Sequence, residues 1–168
     1  MKKKKRTKNN IFSNYNRVAP ILLRGGIGVL KTDTIYGLVG LALNKKTINR
    51  IYKVRKREKN KPMIILISSI DDLKTFGIIP DQKLKIWLNK YWPGKISVIL
   101  PCRRKKFFHL HRGRYALAFR YPDKQNLLNL LRKTGPLAAP SANISGEPPA
   151  ENIKKAVIYF QNRVDFYV

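Results

Sequence analysis

The chain has 168 residues, 43% of them hydrophobic, which suits one domain with a buried core. Its single cysteine excludes an intrachain disulfide, and no apolar run approaches the ~20 residues that cross a bilayer. Against 9 Asp and Glu stand 36 Lys and Arg, a net +27 that repels itself and favours a polyanionic partner. Abundant Lys, Asn and Ile also fit an AT-rich coding bias, so the charge alone does not identify a nucleic-acid protein.

Residues 1–10 carry six basic groups and no apolar residue after Met1, which predicts a disordered basic tail ahead of a domain over 11–168. The start MKKKKRTK imitates the basic end of a signal peptide, but NNIFSNYNR is too polar to follow as its apolar segment. A cytoplasmic location is expected. Pro20 opens a short helix through Leu23, with Gly25 as its natural stop. Ile27–Leu30 and Tyr36–Leu43 read as buried strands around a polar Thr-Asp-Thr turn. Asn44 caps a helix whose Ile48, Ile51, Tyr52 and Arg55 share a face, placing Arg55 near the buried seam. Pro62 ends that reading, and Met63–Ile67 is a continuous apolar strand.

Asp71 and Asp72 begin a short helix ending near Gly77. Pro80 and Asp81 open another, with Leu84, Trp87, Leu88 and Tyr91 on one face. After a Pro93-Gly94 turn, Ile96–Leu100 is a strand. Arg103–Arg114 reads as a basic loop containing Phe107 and Phe108, and Tyr115–Tyr121 alternates into a strand ending at Arg120. Gln125–Arg132 is helical, Leu137–Ala139 enters a Ser141-Ala142-Asn143 loop, Asn152–Gln161 is the last helix, and Val164–Val168 reads as one more strand. Strands alternating with helices predict an α/β fold: a single-domain, twisted, mixed open sheet with flanking helices.

Chemistry is narrowed first by what is missing. Gly94-Lys95 is followed by Ile96 and lacks the upstream glycine of a phosphate loop, and no G-x-G-x-x-G occurs. Cys102, His109 and His111 fall short of the four ligands of a structural zinc site. Two histidines in one basic loop support a Ser-His-Asp triad poorly. Arg55, Arg57, Lys61 and Arg120 remain, each at the edge of a predicted element, and an arginine fork grips carboxylate or phosphate oxygens in pairs. Ser141 and Asn143 add neutral donors, although such loops also serve simply as caps and turns. The Thr-Asp-Thr turn suits a ligand site or an ordinary hairpin equally well.

Five ordered stretches separate these readings. KTDTIYGL (Lys31–Leu38) resembles the P-T-[DE]-T-x-Y-G-L signature of the YrdC/TsaC family of threonylcarbamoyl-AMP synthases. KVRKREKNKPMIILI (Lys53–Ile67) is similar to its K-x-R-x-x-x-x-P-L segment, and WPGKISVILP (Trp92–Pro101) to W-P-G-P-x-T. LAFRYPD (Leu117–Asp123) is similar to A-x-R-x-P, and APSANISG (Ala139–Gly146) to S-T-S-A-N-x-S-G. Five matches in one order are far more specific than any alone.

The resemblance implies a YrdC-like open sheet around a basic central cavity. It implies that L-threonine and bicarbonate (or CO2) form a carbamate that attacks the α-phosphate of ATP, with Mg2+ held mainly by phosphates. Carried over by position, Thr34 and Arg120 hold threonine, with Tyr36 closing the pocket. Arg55, Arg57, Lys61, Ser141 and Asn143 face ATP, Arg55 and Arg57 are catalytic, and Asp33 is loop structure. A separate threonylcarbamoyl transferase complex is the implied downstream partner. Several positions depart from the pattern: Lys31 stands for proline, Arg55 for the lysine of K-x-R, Lys95 for proline and Ser97 for threonine. After VDFYV the family usually continues with a Gly-rich turn and a further strand, so a more open nucleotide site is expected. An RNA-binding or ribosome-assembly protein on the same fold is the alternative, with Lys2–Lys8 and Arg103–Arg114 contacting tRNA or other RNA. The carbamoyl-transfer domain of a hydrogenase-maturation protein is a weaker third reading, because zinc-finger segments are absent.

Overall fold

The computed structural model describes residues 10–58 and 60–168. The basic run Lys2–Lys8 therefore lies outside the described residues. Asn10, expected at the end of the tail, is tied to the fold: its carbonyl accepts from Tyr167 N (2.9 Å), and its side chain donates to Asp165 O (3.3 Å).

Among the described residues, seven strands form one mixed sheet: β1 (Gly28–Lys31), β2 (Tyr36–Leu41), β3 (Ile64–Leu66), β4 (Val98–Pro101), β5 (Ala116–Arg120), β6 (Leu137–Ala138) and β7 (Phe166–Tyr167). Their spatial order is β4-β5-β3-β6-β2-β1-β7. The β1/β7 and β3/β5 pairs are parallel and the others antiparallel. The expected α/β sheet, including the strand at Val164–Val168, is present. Alternate residues serve opposite faces. Val29 and Leu38 join one apolar cluster, while Leu30 and Val39 join the other.

Helices α1 (Ala19–Leu23) and α5 (Gln125–Thr134) cover the second face, α5 through Leu127, Leu128, Leu130 and Leu131. On the first lie α2 (Lys45–Arg55), α3 (Gln82–Tyr91), α4 (Phe108–His111) and α6 (Ile153–Phe160). The position of α2 matters most for the site. Asn44 Oδ1 caps it by accepting from Lys46 N (3.0 Å) and Thr47 N (3.1 Å). Gly40 lets it lie close on β2, since a Cβ there would stand 2.4 Å from Thr47 Cγ2.

Two expectations need correction. On α3 only Leu88 is buried; Trp87 is 44% exposed and leans on Tyr91 with ring centroids 4.8 Å apart. Of the four apolar residues on this face, Leu88 enters the core and the other three cover its edge. The basic loop at Arg103–Arg114 is partly helical, with a 3-10 turn (Lys105–Phe107) leading into α4. Phe107 is buried against Phe76 (5.3 Å between centroids), which removes it from any surface contact, whereas Phe108 is 57% exposed.

Candidate active site

The β1–β2 hairpin, the C-terminal ends of α2 and β5, and the Ser141 loop converge on one cavity of 270 Å3. The hairpin turn is fastened from within by Thr32. Its Oγ1 donates to Ile35 O (2.7 Å) and accepts from Thr34 N (3.2 Å), leaving Thr34 exposed at the cavity wall. From outside, Lys124 Nζ donates to Lys31 O (2.8 Å) and Thr32 O (3.3 Å). The turn is thus a hairpin that also lines a cavity.

The Ser141 loop is laid along β2 by backbone bonds from Leu38 N to Pro140 O (2.9 Å) and from Ala142 N to Tyr36 O (2.8 Å). Arg55, 2% exposed, then clamps it from α2. Its Nε donates to Asn143 O (3.0 Å), and its Nη2 to Asn143 Oδ1 (2.8 Å) and Ser141 Oγ (3.1 Å). A point-like ammonium has no planar fork to span these three acceptors, which gives arginine a physical reason to stand at this position. Burial, and then the charge of Arg57, brings the Arg55 pKa down to about 10, so the group stays cationic at neutral pH. Among the described residues its buried Nη1 has no hydrogen-bond partner, and the residue lines the cavity, which leaves the two N–H groups of that nitrogen for a ligand.

Arg57 lines the same cavity and is steadied by donating to Lys61 O (3.2 Å) and Pro62 O (3.0 Å). Arg120 enters from the last position of β5, opposite Leu66 of β3. Burial lowers its pKa and the charge of Asp33 opposes that shift. Arg120 Nη2 lies 3.0 Å from Asp33 Oδ1, with the two side chains 9% and 2% exposed. This is a contact of charges rather than a hydrogen bond, since neither Asp33 oxygen nor Arg120 Nε has a hydrogen-bond partner among the described residues. Asp33, read from the sequence as loop structure, is thus the counter-ion of a site cation. Only its place in the Thr-Asp-Thr turn signalled this.

Three expected site residues sit elsewhere. Lys61 does not line the cavity; its ammonium pairs with Glu58 at the surface (2.7 Å). Tyr36 lines an adjoining 350 Å3 cavity with Pro148 and Pro149, which shares Thr34 and Ile35 with the first. Asn143, 7% exposed, spends its amide inside the loop: Nδ2 donates to Ile144 O (3.0 Å) and Glu147 O (2.6 Å). Ser141→Ala is therefore expected to weaken ligand binding about tenfold or more with little loss of stability, a hydrogen bond to a charged group being worth ~1.5–3 kcal/mol. Asn143→Ala should instead lower stability by about 2–3 kcal/mol, because it strands buried partners. Chemical unfolding of both variants separates the roles; equal stability losses would contradict the division. The remaining titratable groups add no metal centre: among the described residues, no cluster of three or more His, Cys, Asp or Glu could hold an ion.

The sequence and the fold have known counterparts. The family model described as "Telomere recombination" (Sua5/YciO/YrdC) matches residues 20–168. A threonylcarbamoyl-AMP synthase of Bacillus subtilis is 34% identical over 134 residues, 79% of this chain and 39% of that protein. A threonylcarbamoyl-AMP synthase of Pyrococcus abyssi is 28% identical over 151 residues, 89% of this chain and 44% of that one. The chain thus spans about two-fifths of these relatives' lengths. The solved structure of P. abyssi Sua5 complexed with L-threonine superposes with a TM-score of 0.81 at 25% identity, covering 95% of this chain and 48% of that one. A family-model match over residues 20–168, nearly the whole described fold, makes this chain a member of the Sua5/YciO/YrdC family.

Proposed function

We propose that the chain makes threonylcarbamoyl-AMP and pyrophosphate from L-threonine, bicarbonate or CO2, and ATP, supplying threonylcarbamoyladenosine formation in tRNA. One observation carries this reading: Arg55, Arg57 and Arg120 converge on a cavity with Thr34 and Ser141 in its wall and no carboxylate lining it. Such a site gathers anions. The described residues that line it include no His, Asp or Glu to activate the Thr34 and Ser141 hydroxyls, and the reaction needs no protein nucleophile, because the substrate carbamate is itself the nucleophile.

In this reading the threonine nitrogen adds to CO2 and gives up a proton, and a carbamate oxygen attacks the α-phosphorus as pyrophosphate leaves. Arg120 holds the threonine carboxylate, with Thr34 beside it. Arg55 and Arg57 face the phosphates, where negative charge builds up, and Ser141 adds a neutral donor. Mg2+ would come with ATP and neutralise phosphate charge, since among the described residues no carboxylate lines the cavity to cage an ion. The adjoining cavity by Tyr36, Pro148 and Pro149 offers room for the rest of the nucleotide. The reactive product then passes to a separate threonylcarbamoyl transferase complex, a cytoplasmic setting.

The test is pyrophosphate release by the purified chain. Release is expected only when threonine, bicarbonate and ATP are all present. Equal release without threonine would make the chain a different ATP-cleaving enzyme.

A further inference from the structure

Arg120 ends β5, and Lys124 stands just ahead of α5 in the same stretch of chain. Both reach the turn of the β1–β2 hairpin. Arg120 meets it from the cavity side, at Asp33. Lys124 meets it from outside, through the carbonyls of Lys31 and Thr32, which immediately precede Asp33 and Thr34. One short segment, the segment that carries Arg120, therefore holds the hairpin on two sides.

On the outer side every donor is placed. An ammonium has three hydrogens to give, and Lys124 Nζ meets Lys31 O (2.8 Å), Tyr15 Oη (2.8 Å) and Thr32 O (3.3 Å). Tyr15, in a 3-10 turn over Tyr15–Val18, donates its own hydroxyl to Lys31 O, and its ring centroid lies 5.1 Å from the ammonium. Burial, and then Tyr36, pushes the Tyr15 phenol up to about 12, so it keeps the proton that it donates. Lys124 occupies the N-cap position of α5, where Ser, Thr, Asp or Asn would close the helix end. A lysine has no acceptor and forgoes that bond. Its ammonium does not line the cavity and has no hydrogen left for a ligand, so it acts on the hairpin alone.

We propose that Lys124, supported by Tyr15, is a positioning residue for threonine: it fixes the distance between Thr34 and Arg120. The inference rests on the adenylate-forming reading, in which those two groups hold the amino acid, and adds to it the device that sets their spacing. A ligand held between two elements binds only as well as the spacing between them is defined. Asp33 and Arg120 define it poorly by themselves, since their contact is one of charges without a hydrogen bond. The directed bonds of Lys124 supply what that contact lacks. Tyr15, which lines no part of the cavity, thereby takes part in threonine use from outside it.

The test is pyrophosphate release by the full chain, with threonine varied at saturating ATP and bicarbonate. Lys124→Met keeps an apolar stem and removes the ammonium. Half-saturating threonine should rise about tenfold, with half-saturating ATP at the parental value. Tyr15→Phe removes one hydroxyl and should raise half-saturating threonine about threefold. The double variant should fall well short of the product of the two effects, since both side chains act on Lys31 O. Lys124→Cys should match Lys124→Met, and alkylation with 2-bromoethylamine, which restores an ammonium there, should return threonine use to the parental level. Cys102 is 2% exposed, and the parent chain treated in parallel controls for it. Thermal melts accompany each assay. A residue that serves stability alone would lower the melting temperature and leave half-saturating threonine unchanged, and that result would overturn the proposal. So would a rise that aminoethylation fails to reverse, or an equal rise for ATP. Release by the parent chain that ignores threonine is a separate failure: it removes the adenylate-forming reading, and this inference with it.

Discussion

Arg120→Ala is expected to damage both threonine use and the fold. Half-saturating threonine in the pyrophosphate assay should rise about 10- to 150-fold, the equivalent of one charged hydrogen bond of ~1.5–3 kcal/mol. Stability should fall by about 3–5 kcal/mol, because the variant leaves the Asp33 carboxylate, 2% exposed, without its counter-charge. The two losses can be separated. Adding Asp33→Asn removes the stranded charge, so the double variant should recover most of the stability and none of the threonine affinity. A single variant as stable as the parent would show that water reaches Asp33 after all. An unchanged threonine dependence would place the amino acid elsewhere in the site.

That ion pair also marks where sequence reading stops. The spacing of Ile48, Ile51, Tyr52 and Arg55 was enough to bring Arg55 to the buried face of α2, because helical periodicity is a local property. The same holds for the alternation that forms β1 and β2. Asp33 and Arg120 are 87 positions apart (120 − 33) and meet only because β5 and the β1–β2 hairpin come together at one end of the sheet. No periodicity encodes such a meeting. Asn143 misled for a related reason. A polar residue in a tight loop looks available to a ligand until the loop's own carbonyls are located, and here they take both of its amide hydrogens. The helical turn at Phe108–His111 was missed because four residues carry too little periodicity to stand out from a basic loop. The grouping of Lys45, Lys53 and Lys56 with Lys105, Lys106 and Arg112 around one cavity was invisible as well, since α2 and α4 become neighbours only once both pack on the same sheet face. The family resemblance covered the motifs of the site, yet it carried Lys61 to the cavity by position, and this chain pairs that lysine with Glu58 instead.

Arg55→Lys should have the largest effect on nucleotide binding, although it keeps the charge. The arginine fork now satisfies Asn143 O, Asn143 Oδ1 and Ser141 Oγ together. A lysine is shorter, and its tetrahedral ammonium has no planar pair of nitrogens, so it is expected to hold one of these acceptors and strand the others. Each buried acceptor left unpaired costs about 1–3 kcal/mol, which puts the loss of stability near 2–4 kcal/mol. The more telling effect is local. Ser145 N donates to Arg55 O (2.8 Å) and Ala142 N to Tyr36 O (2.8 Å), so amide exchange at these two positions reports whether the loop still lies against α2 and β2. Exchange at Ala142 should quicken first, because the side-chain clamp acts on its neighbours Ser141 and Asn143. Affinity for a non-hydrolysable ATP analogue should fall about 100-fold, since Ser141 loses its fixed position and the site loses the Nη1 donor together. The outcome distinguishes two roles for the residue. Faster exchange with weaker binding makes Arg55 the clamp that builds the loop. Weaker binding with exchange unchanged would make it a ligand contact alone, and the three hydrogen bonds to the loop would then contribute little to holding it.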